Sequence, residues 1–441
     1  MKQVLILGAG KSANVLIDYA AEHAAEHGWH VTIADLNTEA HRALYFANEH
    51  LRFIDLKGDD EERDKLIDQS DIVVSMLPAA MHPAIAFRCL HFGKHLITPS
   101  YISHDMQQLH AEAAAKKLLF LNEMGLDPGI DHMSARQMID EIKNKGGKIE
   151  SFKSYCGGLV APESDTNPWH YKFSWNPRNV VLAGQGSGGI MYREEGTFRF
   201  LPYHQLFATA TNIEIQGAGT FEGYANRDSL KYAAPYGIED AKTILRGTLR
   251  QAPFCKGWNA IVQLGMTDDT LHMPLEGSVR LTDFLNAFLP PGDEPVRQRL
   301  LSYTHSGPEI LPLFDYLGFF NTDALVEVSN NSAAQVLQKI LEPHWALAEN
   351  DHDMIVMHHE VKYMVAGKSH CSTASMVIKG ESKRHTAMAK TVGLPIALSL
   401  RYVLNNNWKI HGVQMPIHTD IYRPILAELE SMGIGFKHET H

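Results

Sequence analysis

Cysteine is scarce in this chain, and the few cysteines lie far apart. They are Cys89, Cys156, Cys255 and Cys371, and no two of them form a C-x-x-C pair. This spacing argues against a disulfide framework and against a structural zinc site, and it is typical of a protein from a reducing compartment. We therefore expect a cytoplasmic protein.

Long apolar runs are also missing. No run reaches the roughly eighteen residues that a membrane-spanning helix needs, so we expect no membrane partner. Met1-Lys2-Gln3 leads directly into the apolar run Val4–Leu7, and we expect the folded domain to begin there without a secretory signal.

Positive charge is in deficit. The 40 Lys and Arg face 51 Asp and Glu, which gives a net charge of -11. This balance argues against nucleic acid as a general partner, because binding phosphates needs a basic face. It does not exclude a small anionic substrate, because a local cluster of Arg and Lys can form in an acidic protein.

A chain of 441 residues is too long for a single hydrophobic core, so we expect two or three domains.

The chain opens with a strand, a glycine-containing turn and a helix. Val4–Leu7 is followed by Gly8-Ala9-Gly10-Lys11-Ser12-Ala13 and by a helical pattern over Asn14–Glu26. This is the dinucleotide fingerprint G-x-G-x-x-A, in which Gly8 permits the tight turn, Gly10 lets the backbone approach the pyrophosphate, and Ala13 keeps the helix close to the strand. The pyrophosphate is expected at the helix N-terminus.

A second predicted strand, His30–Ala34, ends in Asp35. An acidic residue at this position accepts hydrogen bonds from the adenosine ribose and repels a 2′-phosphate, which favours NAD over NADP.

Strands and helices continue to alternate, which predicts an α/β domain with a doubly wound parallel sheet of the Rossmann type. Ligands in such sheets bind at the carboxyl ends of the strands. The next predicted strands are Arg52–Leu56, Asp71–Pro78, His95–Thr98 and Leu118–Leu121. Residues at their ends are candidates for the cleft: Asp55, Pro78, Ser100, Tyr101 and the loop Asn122–Asp127.

Beyond Leu121 the pattern changes to that of a second, α+β domain with a mixed sheet and a helical insert at about 281–350. A helix is predicted over 134–145, and another over 385–403 returns towards the first domain. The predicted domains are 1–125, 126–384 and 385–441. The predicted strands of the second domain are Ile149–Cys156, Asn179–Ala183, Ile190–Glu194, Ile213–Gly217, Val262–Leu264, Met354–Glu360 and Met376–Gly380.

A second glycine-rich segment and a group of histidines resemble binding motifs, but neither supports a binding site. Gly184–Gly189 also matches G-x-G-x-x-G, but strand-like residues follow it, so we interpret it as a hairpin or loop. His358 and His359 are adjacent and would point to opposite faces of a strand, and with His352 and His370 they lack metal-ligand spacing. We predict no metal.

Several longer segments together resemble the saccharopine dehydrogenase (L-glutamate-forming) family, also called saccharopine reductase. They are Thr98–Tyr101, Gly125–His132, Ser151–Leu159, Tyr171–Trp175, Tyr224–Ser229, Arg246–Arg250 and Thr386–Pro395. The resemblance implies a Rossmann domain joined to a substrate domain, and usually a homodimer. It also implies the reversible oxidation of saccharopine to an imine, which water splits into glutamate and 2-aminoadipate 6-semialdehyde, in lysine metabolism.

The resemblance also implies roles for individual residues. Catalytic roles fall to Asp127, Tyr101 and Cys156, although Asp127 has an ordinary alternative as a turn or helix-cap residue and Cys156 as a small buried hydrophobe. The substrate-binding residues are Ser100, Tyr101, Asp127, Asn226, Arg227 and Asp228. With the fingerprint, the predicted cofactor-binding residues are Gly8, Gly10, Lys11, Ser12, Ala13, Asp35, Leu36, Asn37, Asp55, Leu56, Leu77, Pro78, Pro99, Ser100, Leu126, Asp127, Pro128 and Ser174.

The chain departs from the family pattern after the second strand. Relatives that use NADP carry a basic triplet there, whereas this chain has Asp35-Leu36-Asn37. We therefore expect NAD(H), with NADP(H) as the alternative. Two other functions stay open: a lysine 6-dehydrogenase or carboxyspermidine-type dehydrogenase of the same superfamily, and a non-catalytic dinucleotide-binding protein.

Overall fold

A computed structural model describes residues 1–185 and 189–441. The predicted hairpin or loop at Gly184–Gly189 therefore includes residues, 186–188, that lie outside the described part. The chain forms two compact units. Unit 1 comprises Met1–Gly146 and Arg384–Lys437, and unit 2 comprises Gly147–Lys383 and His438–His441.

Unit 1 is built on a sheet whose strands are all paired in parallel. Its strands are β1 (Lys2–Leu7), β2 (Trp29–Asp35), β3 (Leu51–Asp55), β4 (Ile72–Ser75), β5 (His95–Ile97), β6 (Leu119–Leu121) and β17 (Gly412–Gln414). Its helices are α1 (Asn14–His27), α2 (Glu39–Leu44), α3 (Asp60–Gln69), α4 (His82–Phe92), α5 (His104–Gln108), α6 (His110–Ala115), α7 (Ile130–Asn144), α15 (Ala387–Leu404) and α16 (Thr419–Ser431).

The strand order in this sheet is β17-β6-β5-β4-β1-β2-β3. The chain moves outwards from β1 in one direction through β2 and β3, and in the other through β4, β5 and β6. The order therefore reverses between β1 and β4, and a crevice forms at that point beyond the carboxyl ends of the strands. The predicted doubly wound Rossmann sheet is confirmed.

The C-terminal segment adds to unit 1. It supplies β17, which pairs with β6, and α15, which packs on α1. The approach is close at Gly393, where an added Cβ would lie 2.8 Å from the backbone nitrogen of Leu16. By length and composition α15 could cross a membrane, but 61% of it is buried inside the protein, which is the environment of a core helix.

Helix α7 also belongs to unit 1, so the two compact units divide the chain after Gly146 and not at the predicted 125/126 boundary. Within this unit α7 contacts α16. The hydroxyl of Tyr422 on α16 donates to Asp140 on α7 at 2.8 Å.

Unit 2 contains a mixed sheet in the order β10-β11-β12-β7-β15-β16-β18, in which β7 is parallel to β12 and antiparallel to β15. Its strands are β7 (Lys148–Val160), β8 (Ile190–Glu194), β9 (Thr197–Leu201), β10 (Thr211–Ile215), β11 (Gly219–Ala225), β12 (Thr243–Arg250), β13 (Glu276–Arg280), β14 (Leu325–Ser329), β15 (Asp353–Val365), β16 (Lys368–Lys379) and β18 (Lys437–Thr440). Its helices are α8 (Pro177–Val181), α9 (Ala233–Tyr236), α10 (Phe254–Leu264), α11 (Leu281–Ala287), α12 (Val296–Thr304), α13 (Leu311–Tyr316) and α14 (Ala333–His344).

Two predicted strands of this unit are helical. Asn179–Ala183 falls largely on α8, whose N-cap Asn176 accepts a hydrogen bond from the backbone of Arg178 and whose first residue is a proline. Val262–Leu264 is the last turn of α10, which is buried on most sides. A short apolar run fits a buried helix as well as a buried strand, and the sequence alone does not separate them.

The predicted helical insert contains α11, α12, α13 and α14, as expected. It also contains β14, which pairs with β13 in a small antiparallel sheet.

Candidate active site

The glycine-rich turn lies at the crevice between β1 and β4. Gly8 has a φ of 100°, and a Cβ there would lie 2.9 Å from the backbone carbon of Met76, so only glycine fits. A Cβ added to Gly10 would meet no protein atom within 4 Å. The turn continues through Lys11, Ser12 and Ala13 as one 3-10 turn into α1. The turn therefore leaves open space beside Gly10 at the start of the helix, where we expect the pyrophosphate.

Asp35, at the end of β2, holds this turn. Its Oδ2 accepts a hydrogen bond from the backbone of Ala9 at 2.5 Å, and its Oδ1 accepts one from Leu36 at 2.6 Å. The Leu36 side chain is exposed, and Asn37 accepts from the backbone of Glu39. The residues expected to meet the adenosine ribose therefore carry one negative charge and no positive charge of their own.

Asp55, at the end of the neighbouring β3, is held by Thr38. Its Oδ1 accepts from both the hydroxyl and the backbone N–H of Thr38 at 2.7 Å, and these bonds lower the pKa of Asp55. Arg42 donates to its Oδ2 at 3.3 Å. The backbone of Leu56 donates to the carbonyl of Asp35, which ties the two strand ends together.

A buried histidine that the sequence did not single out positions Ser100. His82 begins α4, after Leu77 and Pro78, and is 3% exposed. Its Nδ1 lies 2.8 Å from the Ser75 hydroxyl, and its Nε2 lies 2.8 Å from the Ser100 hydroxyl and 3.1 Å from that of Thr98. Burial lowers the pKa of His82 to about 4, so it is neutral at physiological pH and joins these hydroxyls as one donor and one acceptor.

Tyr101 and Asp127, which the sequence predicts as catalytic, form a hydrogen-bonded pair in unit 1. They follow β5 and β6, and the Tyr101 hydroxyl donates to Asp127 Oδ1 at 2.7 Å. Both side chains are half-buried. Two residues that lie 26 positions apart in the sequence are therefore brought into direct contact at the carboxyl edge of the sheet.

Glu123 braces the two loops that carry this pair. It is 1% exposed, its Oε1 accepts from the backbone of Ile102 at 2.9 Å, and its Oε2 lies 2.6 Å from Nε2 of the buried His132. Ile102 adjoins Tyr101 in the chain, so the carboxylate of Glu123 fixes the backbone next to the tyrosine. Asp131 accepts from the backbone of Gly129 at 2.6 Å and secures the start of α7.

In unit 2, Cys156 lies in the centre of the sheet. It is 6% exposed on β7, opposite Thr248 of β12 and Met357 of β15. It lies near enough to the guanidinium of Arg250 to interact with it electrostatically. This environment is that of a small buried side chain within the range of a cation's charge.

Arg250 lies in the segment Arg246–Arg250 but was not predicted as a site residue. It is 5% exposed and lies over the rings of Tyr171 and Phe254, at 5.2 and 5.3 Å. Its Nη1 donates to the carbonyl of Leu249 at 2.9 Å, while its Nε has no hydrogen-bond partner and no carboxylate lies within 4.0 Å among the described residues. A buried guanidinium without a counter-ion is costly, and it marks a place where an anion would be stabilised.

The predicted triplet Asn226-Arg227-Asp228 forms a turn after β11 in the same unit. The backbone of Asn226 donates to the carbonyl of Arg246 at 2.7 Å, and Asp228 accepts from Leu230 at 2.8 Å. Arg227 is exposed with a φ of 53°. The turn thus presents one arginine to solvent near the end of β11.

The structure therefore distributes the predicted site residues over both units. Ser174 is buried in unit 2, beside Phe173, whose backbone donates to Trp345 at 2.7 Å. Three further predicted residues lie in unit 1. Pro99 follows β5, and Leu126 and Pro128 lie in the loop before α7.

A parallel sheet in this order, with a glycine-rich turn at the point of reversal and acid–base side chains at its carboxyl edge, defines a Rossmann-type oxidoreductase that uses a nicotinamide cofactor. Two family models match the chain, the Saccharopine dehydrogenase NADP binding domain over residues 4–121 and the Saccharopine dehydrogenase C-terminal domain over residues 125–434. The chain belongs to the saccharopine dehydrogenase family, which confirms the resemblance found in the sequence.

The relatives agree with this assignment. A saccharopine dehydrogenase [NADP(+), L-glutamate-forming] of Saccharomyces cerevisiae is 34% identical over 100% of this chain and 99% of its own length. The solved apo structure of the saccharopine dehydrogenase (L-Glu forming) of S. cerevisiae matches with a TM-score of 0.87 at 33% identity, over all of both chains.

Longer relatives match only in part. An alpha-aminoadipic semialdehyde synthase of Arabidopsis thaliana is 33% identical over 98% of this chain, but the match covers 44% of that protein. The chain spans about half the length of such synthases.

Proposed function

We propose that this chain oxidises saccharopine at its secondary amine and releases glutamate and 2-aminoadipate 6-semialdehyde. The carbon next to the amine loses a hydride and the nitrogen loses a proton, which leaves an imine that water hydrolyses. A bound nicotinamide supplies the hydride acceptor. The observation that carries the proposal is the end-to-end similarity to a relative named for this reaction.

Tyr101 and Asp127 are suited to the proton transfers. The 2.7 Å bond between them makes the tyrosine hydroxyl and the carboxylate one hydrogen-bonded unit, which can take up the amine proton and return one to the leaving amine. Ser100, held by His82, presents a hydroxyl from the next strand end. The neutral state of His82 keeps an added positive charge away from a cationic substrate amine.

The substrate carries three carboxylates, so binding it requires cationic groups. Arg250 and Arg227 meet this need in different ways. Arg250 is buried, lacks a carboxylate partner in the described part of the chain and stacks on aromatic rings that hold it in place. Arg227 is exposed on a turn and is suited to a carboxylate that arrives from solvent.

Replacing Arg250 tests this role. We expect Arg250→Met to raise the KM for saccharopine by about 30-fold or more, because losing one partner of a buried charge pair costs roughly 2–5 kcal/mol. The affinity for the dinucleotide should not change. Arg193→Met is the matched control, because Arg193 also lies over a ring, Phe198, and donates to backbone carbonyls. Equal KM values in the two variants would contradict the role of Arg250.

We propose NAD(H) as the preferred cofactor. The first family domain and the yeast relative carry NADP in their names, so the proposal sets this chain apart from them. Its support is local: the Asp35 carboxylate lies at the end of β2, where we expect the ribose, and neither Leu36 nor Asn37 offers a positive charge to a 2′-phosphate.

Substrate assays test the whole proposal. NADH oxidation should require glutamate together with the semialdehyde, and saccharopine should reduce NAD⁺ in the opposite direction. Lysine and carboxyspermidine, the substrates of the related superfamily enzymes, should give no turnover. Turnover with either one in place of saccharopine would refute the substrate assignment, and dinucleotide binding without turnover of any amine would refute catalysis.

A further inference from the structure

The last turn of α1 carries a group of potential metal ligands that the proposed reaction does not use. Its residues His23-Ala24-Ala25-Glu26-His27 follow the pattern H-x-x-E-H. Histidines four positions apart lie on the same face of a helix, as does a residue three positions from the first. The group lies one helix length away from the glycine-rich turn, just before the left-handed cap residue Gly28.

The donor atoms are already close together. The Nδ1 of His23 lies 3.4 Å from Oε2 of Glu26, and one donor atom from each of His23, Glu26 and His27 lies within 4.8 Å of the other two. Two ligands bound at ~2.0–2.1 Å to one tetrahedral zinc ion lie roughly 3.4 Å apart. His23 and Glu26 therefore already have the separation of bound ligands, and His27 needs only a small side-chain rotation.

The rings are held in place by their neighbours. The rings of His23 and His27 are stacked with centroids 5.8 Å apart, Tyr19 lies 4.3 Å from His23, and Trp29 lies 4.7 Å from His27. The Nε2 of His27 is buried and has no hydrogen-bond partner within the described residues. A buried nitrogen without a partner is unfavourable, and a metal ion bound at this nitrogen would satisfy it.

Electrostatics at this end of the helix favour a cation. The C-terminus of α1 carries the negative end of the helix dipole, and Glu26 adds a full negative charge. Two charged groups of other helices act on His27, namely Arg401 of α15 and Glu428 of α16. They form an ion pair with each other, so Glu428 offsets part of the repulsion from Arg401.

Against the prediction of no metal from the sequence, we propose that His23, Glu26 and His27 bind one divalent ion of borderline softness, with Zn²⁺ as the representative and water completing its coordination. Two imidazoles and one carboxylate are a ligand set that zinc prefers. The ion links residues of the last turn that are correctly spaced only in the folded helix. Binding therefore stabilises unit 1 and is separate from the oxidoreductase reaction.

Calorimetry on the full chain tests the site, using protein without a histidine tag, stripped of metal and titrated with ZnCl₂ at neutral pH. We expect one zinc equivalent that His23→Gln weakens by about tenfold or more, together with a zinc-dependent rise in Tm that the variant loses. His91→Gln is the control, because His91 is an exposed histidine at the end of α4 in the same unit. It should retain both effects.

Cobalt provides a second readout. Co²⁺ should give the visible absorption of a low-coordinate nitrogen and oxygen site in the wild type and in His91→Gln, but not in His23→Gln or His27→Gln. Because His27 packs on Trp29, His23→Gln decides the outcome if His27→Gln does not fold. Unchanged zinc affinity in His23→Gln, or a zinc equivalent that leaves Tm unaltered, would overturn the proposal.

Discussion

Removing the negative charge of Asp35 should move the coenzyme preference towards NADP. The change Asp35→Asn keeps the size of the side chain and one oxygen that can accept from the backbone of Ala9, as the carboxylate does at 2.5 Å. It removes the charge that a 2′-phosphate would meet. The double change Asp35→Ala with Leu36→Arg goes further and supplies a guanidinium for that phosphate.

The size of the effect follows from Coulomb's law. A phosphate that replaces the ribose hydroxyl bonded to Asp35 brings two like charges to about 4 Å. Their repulsion is about 1 kcal/mol in bulk water and about 4 kcal/mol at the effective dielectric near a protein surface. These values correspond to a preference for NAD of roughly fivefold to a thousandfold. Asp35→Asn should remove most of it, and the double variant should reverse it.

The assay is the ratio of kcat/KM with NAD⁺ to kcat/KM with NADP⁺ at saturating saccharopine and low ionic strength. Asp71→Asn is the matched control, because Asp71 also accepts a backbone hydrogen bond, from Gln3 at 2.7 Å, but lies at the opposite edge of the same sheet. The ratio should be unchanged in the control. A ratio in Asp35→Asn that equals the wild-type ratio would refute the assignment of Asp35 to the ribose.

The other predictions concern the reaction and the residues behind it. Asp127→Asn should lower turnover and alter its pH profile, because the carboxylate can no longer exchange a proton. Arg227→Ala should raise the KM for saccharopine with little change in NADH binding. Glu123→Gln should lower turnover and destabilise the protein by about 1–3 kcal/mol, because the buried hydrogen bond between the Glu123 carboxylate and His132 loses its acceptor. His82→Gln should lessen acid destabilisation, because its pKa of about 4 lies below the ordinary 6.5, and stability is lost as pH falls through that interval.

Each of these has an outcome that would contradict it. An unaltered pH profile would make Asp127 a structural residue, and wild-type kinetics in Arg227→Ala would remove the turn from the substrate site. Glu123 acts through Tyr101, so a fall in Tm with unchanged kcat would leave it a purely structural role. For His82, urea titrations between neutral pH and its pKa should show that the wild type loses at most about 3 kcal/mol of unfolding free energy through this residue. Equal losses in the wild type and in His82→Gln would contradict the prediction.

The Rossmann sheet could be predicted because its signals are local. Val4–Leu7 is a strand buried on both faces, and such strands are continuous apolar runs. Gly8 and Asp35 have fixed positions relative to the strand ends, so the turn and the ribose position follow from spacing. β17 was missed because Gly412–Gln414 is short and pairs with β6, far away in the sequence.

Unit 2 was less predictable because its elements depend on distant contacts. The apolar run at Val262–Leu264 forms a helix since α10 is surrounded by other buried residues, and no local signal separates that case from a buried strand. Arg250 and Cys156 belong to different strands that pair only in the folded sheet. No described carboxylate lies near the Arg250 guanidinium, and this results from how the side chains pack in the folded unit.

The pairs that position the site in unit 1 were missed for a related reason. Glu123 and His132 are both within segments that were singled out, but their contact and its link to Ile102 depend on how two loops fold against each other. The burial of Glu123 and His132, two ionisable residues in or beside a segment that resembles the family, is the feature that would have pointed to their role.

Product stoichiometry tests the central claim most directly. Purified protein, saccharopine and NAD⁺ should yield one NADH and one glutamate for each saccharopine consumed, with the semialdehyde trapped in equal amount. Consumption of saccharopine without reduced nucleotide, or no reaction with either NAD⁺ or NADP⁺, would contradict the account.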